Sequence, residues 1–252
     1  MMQIIDTDLF IGTCPFDPHI ACNAPQLAQS LNVIGIERGL VSSLNSLFTS
    51  NNIQTSDKFL QEISPFADHL WPLLVINPIL PDWEQALSLF SEKIFGVTLF
   101  PRFHRYSLWE NKLKVFYDVI LRLNKPLNIS LRLFDERTMP QGLDIMPVIE
   151  VGTCVQLADK YSKINFVFSS VTNMEADELL SSRKENVCIT TSFLEGEGLL
   201  EKFIRSSYTA NILFGSHFPF FYLESAKAKL ESPRISKGAK SLVFQKNAQE
   251  IF

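Results

Sequence analysis

Short apolar runs alternate with longer segments of helical periodicity along the whole chain, and that alternation restricts the fold more than any other feature. A run of a few apolar residues followed by an amphipathic stretch reads as a strand and its crossover helix, and repeated units of this kind build a parallel sheet. The apolar runs fall at 4–11, 33–41, 71–76, 96–100, 126–133, 164–168, 187–191 and 211–214. Helical patterns lie between them at 25–31, 56–64, 83–91, 111–123, 146–161, 176–182 and 198–206. The run LKVFYDVILRL is followed by Asn124, Lys125 and Pro126, which stop a helix and open the next strand. Eight such units in 252 residues match the size of one (β/α)8 TIM-type barrel, so the expected fold class is α/β. No linker or low-complexity tract divides the chain, so residues 1–252 are read as one domain, with 224–252, Pro233 included, as C-terminal helices packed outside the barrel.

Composition removes several function classes. A net charge of -4 argues against gripping a phosphate backbone, so nucleic acid is not an expected partner. The most apolar stretch, 70–80, is broken by Pro72 and Pro78 and falls short of the roughly 20 residues that span a bilayer, so no membrane partner is expected. The opening MMQIIDTDLFIG is acidic and strand-like where a secretory signal has a basic flank, which points to the cytoplasm. The four cysteines form no CxxC pair and read as reduced, partly buried thiols.

Barrel enzymes carry their chemistry at the C-terminal ends of the strands, where loops vary without disturbing the core. At those positions stand Asp8 and Phe10; Ser42, Ser43 and Asn45; Asn77; Arg102, His104 and Arg105; Ser130, Arg132, Asp135, Glu136 and Arg137; Ser169 and Ser170; Thr191, Ser192 and Glu195; Ser216 and His217. Arg132 and Arg102 have two readings: a planar fork for a carboxylate or phosphate, or one half of an internal salt bridge. His104 is either a site residue or a rim histidine bonded to main chain. Glu195, beside two glycines, either lines the site or caps a helix. No nucleotide-cradling loop or GxSxG elbow occurs, and Ser169 and Ser170 have no activating base in view.

The opening IIDTDLFIGTCPF is similar to IDxHxHxG, and NILFGSHFPFFY is similar to RILFGSDYP, the opening and closing motifs of the amidohydrolase-2 branch of the metal-dependent hydrolases. Between them, GVTLFPRFHRYSLWENKLKVFYDVI, NKPLNISLRLFDER and NVCITTSFLEGEGLLEKFI resemble the fourth, fifth and seventh strand segments of that branch. The resemblance implies an amidohydrolase-like barrel. It also implies metal ligands at five places, and the chain departs from the pattern at each: Asp8 and Phe10 stand for the two histidines of HxH, Ser130 and Ser170 for two more, and His217 for the aspartate. Of these only Asp8 and His217 ligate a divalent metal strongly, and Zn²⁺ sites need three or four protein ligands. The expectation is therefore no transition metal held in the family's manner. One rearranged set stays open, Asp8, His104 and His217 around a divalent ion such as Zn²⁺. Asp6 is expected to hold strand ends, and Phe218, Phe220, Phe221 and Tyr222 to wall the pocket or fill the core.

Two functions follow from these residues. In the first, the chain is a hydrolase or related lyase acting on a small polar, anionic molecule, with His217 and Asp8 as acid–base residues and Arg102, His104, Ser130, Arg132, Ser170 and Glu195 holding the substrate. In the second, it is a metal-free, non-catalytic small-molecule binding protein lined by the same groups. A structural or assembly role through the aromatic segment after residue 217 is a third reading, and a homo-oligomer is compatible with all three.

Overall fold

The computed structural model describes residues 3–135, 137, 142, 145–196, 198–205, 208–231 and 234–252, so Glu136, Ser206 and Pro233 lie outside the described residues. Among the described residues nine strands form one sheet in the order β2-β1-β3-β4-β5-β6-β7-β8-β9. The strands are β1 (Ile5–Cys14), β2 (Asp17–Cys22), β3 (Arg38–Ser43), β4 (Leu70–Val75), β5 (Gly96–Leu99), β6 (Leu127–Ser130), β7 (Phe166–Ser169), β8 (Val187–Thr190) and β9 (Ile212–Leu213). All neighbours are parallel except β1 and β2, which form an antiparallel hairpin. Parallel strands therefore stand at each expected place, and β2 is an addition.

The crossovers are helices α1 (Ala24–Ile34), α2 (Asn52–Ile63), α3 (Trp83–Phe90), α4 (Pro101–His104), α5 (Leu113–Leu123), α6 (Val151–Lys160), α7 (Asn173–Ser181) and α8 (Leu199–Arg205). Their ends follow local chemistry. Asn23 opens α1 with a capping box closed by Gln26, and Gly35 ends it in the left-handed conformation at φ 78°. That stop places Val33 on an exposed helix face and delays the strand to Arg38, which corrects the expected strand start at residue 33. Thr172 and Glu175 form the capping box of α7.

The sheet is curled. Ile5, Leu40 and Leu73 from β1, β3 and β4 share a buried cluster with Val167, Cys188 and Leu213 from β7, β8 and β9, which a flat sheet of this order could not bring together. Helices α9 (Leu223–Leu230), α10 (Lys237–Ser241) and α11 (Asn247–Ile251) follow, and Ala248 and Phe252 pack into that cluster. Regular pairing ends at β9, and 214–218 returns to β1: Thr7 N–H donates to Phe214 O at 2.8 Å, His217 N–H to Asp8 O at 2.8 Å and Phe10 N–H to Phe218 O at 2.9 Å. All four cysteines are free and buried, and no helix among the described residues is long and apolar enough to cross a membrane.

Candidate functional site

The register of β1 against 214–218 brings together two residues 209 positions apart. His217 Nδ1 lies 2.9 Å from Asp8 Oδ2, and His217 Nε2 lies 2.8 Å from Leu133 O, the main chain just beyond β6. A carbonyl only accepts, so Nε2 carries a hydrogen, while Nδ1 and Asp8 share a proton between them. The ring is fully buried, with Phe10, Phe193 and Phe220 centred 5.0, 4.9 and 5.1 Å from it. Ser170 Oγ stands 3.5 Å from the same Nδ1. Both His217 and Ser170 have positive φ, 61° and 60°, a backbone cost the surrounding packing must hold in place. Two residues before His217 stands Gly215, because Asp8 and Thr190 leave no room there: a Cβ would sit 2.8 Å from Asp8 Cβ.

Beneath the pair, Asp6 Oδ1 accepts from the main-chain N–H groups of Asp8 and Ser216, each at 3.1 Å, so the acid pins β1 to the returning segment. Burial pushes its carboxyl up to about 7.

The remaining predicted residues divide between this buried knot and an open cleft. Ser130 Oγ donates to Arg132 O at 2.8 Å and is buried. Arg102 donates through Nε to Met146 O at 2.9 Å and through Nη1 to Leu131 O at 3.5 Å, holding main chain rather than facing the cleft. Arg132 forms a bidentate pair with Glu175, Nη1 to Oε2 and Nη2 to Oε1, each 2.6 Å, and also donates to Ser170 O. Glu175 was not foreseen as a site residue, although the T-x-x-E spacing from Thr172 is a visible sequence signal.

The cleft, about 390 Å³, opens over the C-terminal ends of β6, β7 and β8, lined among others by Arg132, Arg137, Asn173, Met174, Phe193 and Glu195. Arg137 is exposed and pairs with Asp135, whose carboxyl its hydrogen bonds hold down to about 2. Asn173 fixes the rim by exchanging two bonds with the Glu195 main chain, at 2.8 and 3.0 Å, which leaves the Glu195 carboxylate 3.9 Å from Arg137.

His104 does not join Asp8 and His217. Its ring lies 6.4 Å from Phe100 and 6.3 Å from Tyr106, facing the main chain of Ser46 and Leu47, and burial pushes its pKa down to about 4. The candidate ligand set Asp8, His104 and His217 is thus not assembled. Among the described residues no group of three His, Cys, Asp or Glu side chains is placed to hold a metal ion.

Full-length structural matches place this architecture among known proteins. A probable 2-pyrone-4,6-dicarboxylic acid hydrolase from Acinetobacter baumannii, with citric acid bound, superposes with a TM-score of 0.71 at 16% identity over 99% of both chains. The 5-carboxyvanillate decarboxylase of Sphingomonas paucimobilis gives 0.75 at 13% identity over 100% of this chain and 99% of that one. A dihydroxybenzoic acid decarboxylase from Polaromonas, with manganese and the inhibitor 2-nitroresorcinol, gives 0.76 at 13% over 100% and 97%. The chain shares the fold of these proteins over its full length. No family model matches its sequence, and no curated protein does. The positions where the resemblance implies metal ligands do not offer such a set here: Phe10 has no lone pair, and both nitrogens of His217 are already hydrogen-bonded.

Proposed function

We propose that this chain is a single (β/α)8 barrel over residues 1–252, closed through 214–218, that binds a small organic anion in the cleft over β6–β8. The cleft carries the reading. It has the size of a small-molecule site, an apolar wall in Phe193 and Met174, and two guanidinium groups. Arg132 and Arg137 differ in what an incoming carboxylate must displace. The Arg132 fork is buried against Glu175, and replacing such a partner is costly. The Arg137 side chain is 77% exposed, where solvent screens an ion pair and leaves it little net worth, so it is the group that exchanges partners. The citric acid bound to one structural neighbour supports the same ligand class.

A second reading, hydrolysis or a related lyase reaction on that anion, is favoured by the full-length likeness to a hydrolase and to decarboxylases. In it Asp8 and His217 form the acid–base unit, and Phe193 or Phe220 must move to expose the ring.

Calorimetry and thermal shift with citrate, hydroxybenzoates and their uncharged amides test the proposal. Saturable binding of an acid is expected, weakened severalfold by Arg137→Ala and by Phe193→Ala. Binding of the amides alone, or acid binding untouched by both variants, would refute it. Turnover of a bound acid, abolished by His217→Asn, selects the second reading.

A further inference from the structure

The five positions where the resemblance implies metal ligands lie on β1, on β6 and just after β7 and β9, so an ion held there would tie those strand ends together. In this chain the tie is made of side chains. His217, after β9, reaches Asp8 on β1 through Nδ1 and Leu133 beyond β6 through Nε2, and its neighbour at 3.5 Å is Ser170, just after β7. The same strand ends meet on one imidazole ring. Phe10, in place of a ligand, packs edge-on against that ring at 5.0 Å with its plane turned by 78°. Phe193 and Phe220 close the other sides, so no solvent reaches the ring.

From this geometry we infer that the Asp8–His217 pair substitutes for a metal ion as the cross-link of the strand ends, and that Phe10 seals it. Three features fit the assignment. The ring spends both nitrogens on hydrogen bonds within the protein, which leaves no lone pair for a cation. The pair is buried with its bonds satisfied, the condition under which a buried ion pair holds its geometry and is costly to break. The strained backbone at His217 and Ser170 is retained at the two residues that meet at the cross-link. The chain therefore reaches full stability with no metal.

The test pairs a rescue experiment with a measurement on the unaltered protein. His217→Gly keeps the positive φ, so its effect reports the side chain. Its Tm should fall by about ten degrees, since breaking a buried pair is among the larger single-residue losses. Added imidazole, which refills the space, should recover part of that loss, whereas Mn²⁺ or Zn²⁺ should not. Rescue by metal, or a Tm within one degree of the parent, overturns the inference. The unaltered protein decides the matter if the variant does not fold. Its Tm should be unmoved by a chelator, and titrated Mn²⁺ should leave the NMR signals of His217 and Phe10 sharp. Selective broadening of those signals, or a chelator-induced fall in Tm, overturns it equally.

Discussion

The Arg132–Glu175 fork is the interaction whose removal gives the clearest number. Glu175→Gln keeps the side-chain size and removes the charge, leaving a guanidinium whose side chain is 5% exposed without its carboxylate. Breaking a buried pair from one side costs about 3–5 kcal/mol. Glu175 is 18% exposed and the Ser170 carbonyl still accepts from Arg132, so the cost falls to about 2–3 kcal/mol. For a chain of this size that is a Tm loss of about 4–12 °C. Arg132→Met in the same background removes the stranded charge, and the double variant should be more stable than the sum of the singles by about 2 kcal/mol. Protonation gives a second reading of the same pair. Burial alone would raise the Glu175 carboxyl, but the bonds from Arg132 and Thr172 outweigh it and set it below its ordinary value. The stability from the pair is thus complete above the unfolded value of about 4.5 and is lost as pH falls through the lowered folded one. Urea denaturation of the four proteins at neutral pH and at about pH 4 checks both signs. Costs that add within about 0.5 kcal/mol would show that Arg132 and Glu175 are not coupled.

Two further outcomes follow from the buried knot. Asp6, raised by burial to about 7 from 3.8, binds its proton more tightly folded than unfolded, so stability should fall as pH rises between those values, by about 1.4 kcal/mol per unit. Asp6→Asn should flatten that slope in urea titrations from pH 5 to 7, and parallel curves for the two proteins would remove the assignment. Gly215→Ala sets a methyl 2.8 Å from Asp8 Cβ and 3.0 Å from Thr190 Cβ, neither a flexible chain end, and should cost about 1–3 kcal/mol in the same assay. An unchanged midpoint would mean that β1 and β8 can part there at no cost.

Periodicity along the chain was enough to place the parallel strands, because each is an apolar run between helix patterns. The hairpin strand escaped it for physical reasons. Asp17–Cys22 carries Pro18 and a largely exposed pattern, and it gains its hydrogen bonds from β1 rather than from burial. The site was legible as positions and not as partnerships. Asp8, Ser170 and His217 stood out at strand ends, yet that His217 would spend both nitrogens inside the protein depends on a register set 209 residues away. His104 looked like the missing third ligand, but α4 turns its ring toward Phe100 and Tyr106. Arg132 had an internal salt bridge as one of its two readings, with the charges of its own loop in view. Its partner came from α7 instead, through a glutamate whose capping position already fixed where its carboxylate would point.

The free thiols divide the molecule into two clocks. Cys14 and Cys22 sit in the β1–β2 hairpin, whereas Cys154 lies on α6 and Cys188 in β8. Burial pushes Cys22 up to about 11 and both Cys154 and Cys188 up to about 12, so a thiol reagent waits for the fold to open before it meets a reactive thiolate. An edge hairpin opens more readily than the strands inside a sheet. Labelling should therefore proceed in two steps of two thiols each, and an acid bound over β6–β8 should slow the second step while leaving the first untouched.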